Sequence, residues 1–325
     1  MKHFKLLFLF LPFFLCLSLV YVQDVYAELI INKQLFLYNF KNLCSAHSEH
    51  AYYKSIGKTV SGADIYAFYI GHGATRVIIQ GAIHGAEYYT SHALYYLAKW
   101  ILEADTNETR SILKRLTVIL IPTVNYDVWT AARKNLHGVD LNRNFKWNWG
   151  TTGSSDPNSE YYRGPYALSE PETKALHDFY ILTKPKVFLD LHDFGASVAK
   201  GDIRWQSGRN EAEHQHFYNT YVEICSARNV SYWAYLTGSN YGGYALSDAR
   251  EYGGAISFLS ELNDDPPSES QVQGEIKDRL ACFLITADQL YGKESSITDP
   301  QQWIDLASVI LVIALIITVF RQVKP

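Results

Sequence analysis

His84-Gly85-Ala86-Glu87 puts an imidazole and a carboxylate three residues apart, a spacing that lets both reach one metal ion. An HxxE pair by itself is a weak signal, because such pairs arise by chance. Its setting is more specific, since it follows the apolar run 77–80 and precedes an amphipathic stretch. A second histidine, His192, closes another apolar run at 186–191. Two histidines and a glutamate suit a catalytic zinc that keeps one coordination position open. A lone histidine at a strand end is more often a hydrogen-bonded structural residue. Three candidate ligands at compatible places reverse that balance. Glu261 follows the apolar run 255–259 and puts one more carboxylate at a strand end.

Side chains so far apart in sequence need a scaffold that gathers them. Short β-branched runs predict strands over 64–70, 76–80, 117–122, 186–191 and 255–260. Amphipathic stretches predict helices over 88–103, 171–183, 211–228 and 268–291. Ser169-Glu170-Pro171-Glu172 carries the Ser and Glu of a capping box, with Pro early in the helix. The alternation predicts an α/β fold with a mixed, mostly parallel central sheet and helices on both faces. In such sheets ligands collect at the carboxyl ends of strands, where His84, His192 and Glu261 stand.

The chain has 325 residues, 48% hydrophobic and 19% charged, which excludes a disordered polyelectrolyte. Much of that hydrophobicity lies at the two ends. Residues 1–27 combine Lys2 and Lys5, an apolar middle and a final Ala27, the pattern of a secretory signal peptide or an uncleaved anchor. Residues 303–320 form an apolar run followed by Arg321 and Lys324, and predict a transmembrane helix with 321–325 as a cytoplasmic tail. Residues 28–302 then form one exported catalytic domain, held at the cell membrane on the extracytoplasmic side. The whole chain has 29 basic and 33 acidic residues. Without Lys2, Lys5, Asp24, Asp305, Arg321 and Lys324, the domain keeps 25 and 31, a net charge of −6. That balance gives no electrostatic case for binding nucleic acid. Cys44, Cys225 and Cys282 fall in the domain without CxxC spacing, so one disulfide and one free thiol are compatible with the sequence but the pairing is not assignable. The sequons at Asn107 and Asn229 suit export.

Several further motifs give the chain a family resemblance. HGAE at 84–87, Arg133-Lys134, GVDLNRNF at 138–145, FLDLH at 188–192 and SEL at 260–262 occur in order. The stretch YYRGPYALSEPETKAL at 161–176 resembles bacterial members. Together these motifs resemble the zinc carboxypeptidases related to carboxypeptidase A, from about residue 53 to 291. The resemblance implies one Zn²⁺ held by His84, Glu87 and His192, with Asp140 accepting a hydrogen bond from His84. It implies that Asn142 and Arg143 hold a substrate's terminal carboxylate and that Arg133 stabilises the developing oxyanion. Glu261 would take a proton from the zinc-bound water and deliver it to the leaving amine. Amide hydrolysis asks for these parts independently: a Lewis acid, a nucleophile at neutral pH and a proton shuttle. The implied substrates are C-termini of peptides or proteins. Alternatives are cell-wall stem peptides, cut at a γ-D-glutamyl-diaminopimelate bond, and an inactive surface binding module.

Departures from the family pattern concentrate around substrate recognition. Asp193 and Phe194 follow the third ligand where a small residue and Tyr are usual. The position of the substrate-capping tyrosine falls on Gly238, leaving Tyr235, Tyr241 and Tyr244 as candidates. Ala245 and Leu246 point to apolar or aromatic terminal residues, whereas Asp248 in the pocket would point to basic ones. The His47/His50 and His214/His216 pairs read as solvated helix faces. No GxSxG or catalytic cysteine context competes with the metal site.

Overall fold

The computed structural model describes residues 32–193, 202–206, 211–233, 235–239, 241–262 and 268–294. Its scaffold is a sheet of eight strands: β1 (Ala51–Lys58), β2 (Asp64–Ile70), β3 (Thr75–Gln80), β4 (Leu116–Ile121), β5 (Val187–His192), β6 (Asp202–Gln206), β7 (Tyr235–Ser239) and β8 (Ile256–Glu261). The spatial order is β1-β2-β4-β3-β5-β8-β6-β7. The central strands β4, β3, β5 and β8 run parallel, as does the β6–β7 pair. The pairings β1–β2, β2–β4 and β6–β8 are antiparallel. This is the mixed, mostly parallel sheet that the alternating pattern predicts.

Continuous apolar runs in the central strands follow from burial on both faces. Val77 and Ile79 of β3 and Leu189 of β5 point into one core with Val118 and Leu120. Ile78 and Phe188 point into the other with Ile119. Every one of these side chains is fully buried, worth about 1.5–3 kcal/mol each by area removed from water. Because successive residues serve opposite layers, a one-residue slip would exchange the two cores. The first core packs under α1 (Lys33–Ala46), α2 (Tyr89–Glu103), α3 (Asn107–Arg115), α5 (Glu211–Ala227) and α7 (Lys277–Tyr291). The second lies under α4 (Pro171–Thr183) and α6 (Ala245–Glu251).

Four expectations need correction. No capping box forms at α4: Pro171 takes the first helical position, Glu170 becomes the cap residue, and it makes no capping hydrogen bond. Ser169 Oγ instead donates to Glu170 Oε1, and Glu172 Oε1 accepts from the Val60 backbone. The helix expected over 268–291 is interrupted by a π stretch at Val272–Ile276. His214 is fully buried, with Nε2 facing the backbone of Ser257 on β8, so its place on α5 is in the core. His47 and His50 lie in the turn from α1 into β1, beyond the end of that helix.

Among the described residues, no helix is long and apolar enough to cross a membrane. The expected signal segment 1–27 and transmembrane segment 303–320 lie outside the described residues.

Candidate metal centre

Strand β3 ends at Gln80, and the chain turns sharply before the first histidine. Ala82 adopts a left-handed φ of 49°, a conformation that costs a non-glycine residue energy and persists only when its surroundings hold it. Its N–H is fixed by Thr90 Oγ1 at 2.8 Å. Gly85 sits where an added Cβ would come within 2.4 Å of Val128 O, so this residue of the HxxE run must be small. The turn brings His84 and Glu87 over the end of the sheet. His192 is the last residue of β5, and parallel pairing sets it beside Glu261, the last residue of β8.

His84, Glu87 and His192 are all buried, and one ligand atom from each lies within 4.8 Å of the others. His84 Nδ1 is 2.6 Å from Glu87 Oε1, and His192 Nδ1 is 2.9 Å from Glu87 Oε2. The outer nitrogens are occupied by other carboxylates: His84 Nε2 lies 3.1 Å from Asp140 Oδ1 and His192 Nε2 lies 3.0 Å from Asp190 Oδ2. Two Nδ1 atoms and a carboxylate converging on one point, each ring braced from behind, fit zinc.

Electrostatics explain why this cluster keeps its charges. Burial alone would neutralise Glu87, but the His84 and His192 rings overcome it and hold its carboxyl well below the usual range. Asp140 is held low in the same way, against burial, by His84 and then Arg143 and Arg133. Burial pushes the His192 ring toward neutrality, yet Asp190 and Glu87 outweigh it and raise its pKa well above the ordinary value. His84 is raised too, by Glu87 and Asp140 acting against burial. Zinc and protons therefore compete for these rings.

The remaining predicted residues surround this cluster. Arg133 donates from Nε and Nη2 to Asp140 Oδ2 at 3.1 and 2.8 Å, which aims Nη1 toward Glu87 Oε1 at 3.8 Å. Arg143 is tied to the Asn142 carbonyl at 2.9 Å and stacks 4.2 Å from the Tyr244 ring. Asn142, expected at the substrate carboxylate, has its amide within 3.0 Å of His192 Nε2 and 3.3 Å of Asp190 Oδ2, while its Oδ1 accepts from Ala245 N. Glu261 is buried, and Arg204 of β6 reaches its Oε1 at 3.6 Å. Asp193 contributes its backbone N–H to Glu87 Oε2 at 3.3 Å. Phe194 lies outside the described residues.

A cleft of about 410 Å³ opens beside Arg143, bounded by Thr152, Gly153, Ser154, Tyr161 and Tyr244. Tyr161 is half exposed, and both Arg133 and Arg143 lie over its ring, at 5.2 and 5.5 Å. Gly153 is confined, since a Cβ there would meet Tyr161 O at 2.9 Å and its φ is +75°. Among the described residues, no acidic one bounds this cleft. Asp248 is fully buried, paired with His177 Nδ1 and accepting the backbone N–H groups of Lys146 and Trp147.

Sequence reasoning missed Asp190, Arg204 and Tyr161. Asp190 was within reach: it precedes His192 by two residues, so the strand period puts both on one face. Gln80 Nε2 fixes its other oxygen at 2.8 Å, and Tyr180 OH in turn donates to Gln80. Arg204 carries no motif and is brought to Glu261 only by the β6–β8 pairing.

Comparison with known proteins follows the same lines. The sequence pattern that defines zinc carboxypeptidases matches residues 38–271. A metallocarboxypeptidase A-like protein of Trichophyton verrucosum is 29% identical over 57% of this chain and 44% of its own length. Carboxypeptidase O of Bos taurus is 26% identical over 65% of this chain and 64% of its own. The chain thus spans less than two thirds of these curated relatives. The crystal structure of carboxypeptidase A from Helicoverpa armigera superposes with a TM-score of 0.63 at 22% identity, covering 77% of this chain and 72% of that one, and shares the fold.

Proposed function

This chain belongs to the zinc carboxypeptidase family, and from that premise we propose that it hydrolyses the C-terminal bond of peptides or proteins. The observation that carries the proposal is the buried convergence of His84, Glu87 and His192, with Glu261 in register beside His192. Held by these three residues, zinc supplies a Lewis acid and makes a nucleophile available from water at neutral pH.

The protein's own groups do the rest. Arg143 holds the terminal carboxylate at the mouth of the cleft, with Asn142 adjoining it and orienting His192. Arg133, braced on Asp140, faces the carbonyl oxygen as negative charge develops there. Glu261 takes the proton of the attacking water as the new C–O bond forms. It then gives that proton to the amine nitrogen as the C–N bond breaks. Arg204 keeps the Glu261 carboxylate in place. Asp248 is committed to His177 and two backbone amides, which supports a preference for non-basic terminal residues.

Glu261→Gln should keep its zinc and lose about 10³-fold in peptide turnover, as for loss of a general base. Parent-rate cleavage by that variant would overturn the mechanism. Turnover of muropeptides, without turnover of ordinary peptides, would shift the substrate to cell-wall stem peptides. The apolar runs at 1–27 and 303–320, with basic residues at Lys2, Lys5, Arg321 and Lys324, support a catalytic domain held outside the cell membrane. Added protease should then digest the domain on intact cells, and protection until lysis would reverse the orientation.

A further inference from the structure

A line of buried polar groups runs from the metal centre into the core on the α4 side of the sheet. Ile78 and Gln80 of β3 stand in register with Phe188 and Asp190 of β5. Strand alternation puts these four side chains and that of His192 on one face. Gln80 is fully buried at the end of an apolar run, where an amide costs free energy unless it is hydrogen-bonded. Its Nε2 donates to Asp190 Oδ1 at 2.8 Å, and its Oε1 accepts from Tyr180 OH. Tyr180 is itself fully buried, packed against Phe145 and Phe188 with ring centroids 6.2 and 5.1 Å away. Burial, then the charges of Asp190 and Asp248, raise its pKa well above the ordinary value, so the phenol keeps its hydrogen. The other Asp190 oxygen meets His192 Nε2 at 3.0 Å. Asn142 Nδ2, turned by the bond from Ala245 N to its Oδ1, lies beside that nitrogen and donates to the same oxygen at 3.3 Å.

We propose that Tyr180 and Gln80 are positioning residues for the metal: through Asp190 they fix which nitrogen of His192 carries a hydrogen and which faces the ion. This role rests on the zinc reading of the site. Each hydrogen bond in the line has one sense. The phenol donates, so the Gln80 oxygen accepts and its amide nitrogen points at Asp190. A flipped amide would set its oxygen against a carboxylate oxygen and leave the phenol hydrogen without an acceptor. A carboxylate only accepts, so Nε2 of the His192 ring is the donor and Nδ1 keeps its lone pair for zinc. The opposite tautomer would set the Nε2 lone pair against Asp190 Oδ2 and turn a hydrogen toward the ion. With Oδ1 held by Gln80, the carboxylate is also kept from rotating away from the ring. Tyr180 and Gln80 hydrogen-bond no metal ligand themselves, so both act through Asp190.

The test is zinc affinity, measured by chelator competition at one pH on the folded full chain. Gln80→Leu should bind zinc about tenfold more weakly and Tyr180→Phe about threefold, neither exceeding the loss of a direct brace. In an Asp190→Asn background, Gln80→Leu should cost no further affinity, because the path to the ring is already cut. A purely structural role would lower Tm and leave both the affinity and the visible spectrum of the Co²⁺-loaded protein at parent values. That result overturns the proposal, as does an equal loss from Gln80→Leu with and without Asp190→Asn. Should Gln80→Leu fail to fold, Tyr180→Phe, which removes a single oxygen, decides by the same pair of measurements. A parent protein that binds no zinc would overturn the metal site itself, and this role with it.

Discussion

Two buried histidine–carboxylate groups stand on the same scaffold and do opposite things. At His177 and Asp248 the hydrogen bonds turn inward: one Asp248 oxygen meets the ring, and the other accepts Lys146 N and Trp147 N. Its acceptors are used within the protein, and it fastens α4 to α6 and to the loop at 146–147. At His84, Glu87 and His192 the outer ring nitrogens meet Asp140 and Asp190, so the inner nitrogens and Glu87 face one another. The first arrangement is a fastening. The second concentrates donor atoms around a point that a cation can occupy. Burial and residue type are common to both, and the direction of the hydrogen bonds separates structure from chemistry.

The sharpest way to break this contrast is to delete one carboxylate from each group. Glu87→Ala should bind almost no zinc and lose hydrolysis while remaining folded. Asp248→Ala should keep zinc and turnover in its folded fraction, but lose about 3 kcal/mol of stability by stranding His177. Zinc content and denaturant unfolding check both, and equal zinc loss in the two variants would erase the distinction. Next in size are the braces: Asp190→Asn and Asp140→Asn should each weaken zinc binding by about 10–100-fold in chelator competition.

Protonation gives a smaller, graded test. Both ligand histidines have raised values in the metal-free protein, so their protonated forms stabilise the metal-free fold. That contribution is full below the unfolded value of about 6.5 and is lost as pH rises through the raised folded values. Zinc affinity has the opposite sign, falling as acidification protonates the rings, and the fall should begin above pH ~6.5. Chelator competition from pH 5 to 9 checks it, and affinity that is flat with pH would contradict the assignment of these ligands. The smallest expected effect is Arg204→Ala, at about threefold to tenfold in kcat with KM and zinc content unchanged and partial recovery in Arg204→Lys.

The centre of the sheet was easier to read from sequence than its edges. Strands β2, β3, β4, β5 and β8 are mostly apolar runs, because burial on both faces admits a polar residue only where it finds a partner, as Gln80 and Asp190 do. The same pattern located His84, His192 and Glu261, since each stands where such a run ends. Strand β1, Ala51–Lys58, escaped notice because it is an edge strand with Tyr52 and Tyr53 exposed and Lys54 lying over Tyr69. Helix α3 escaped because NETRSILKR is largely polar, and its capping box comes from Thr106 with Thr109 rather than an acidic partner. Asp248 looked like a specificity residue by position, yet its surroundings in three dimensions commit it to the core.

The register of β5 on β8 sets one further property of the molecule. His192 and Glu261 are direct partners on neighbouring parallel strands, about 4.8 Å apart in backbone. The spacing between His192 and Glu261 is therefore a lattice constant of the sheet, fixed by main-chain hydrogen bonding. Insertions and deletions in the loops leave it unchanged, whereas a single-residue slip of either strand would destroy it. Loops around the site can thus diversify freely while the placement of His192 beside Glu261 is inherited intact.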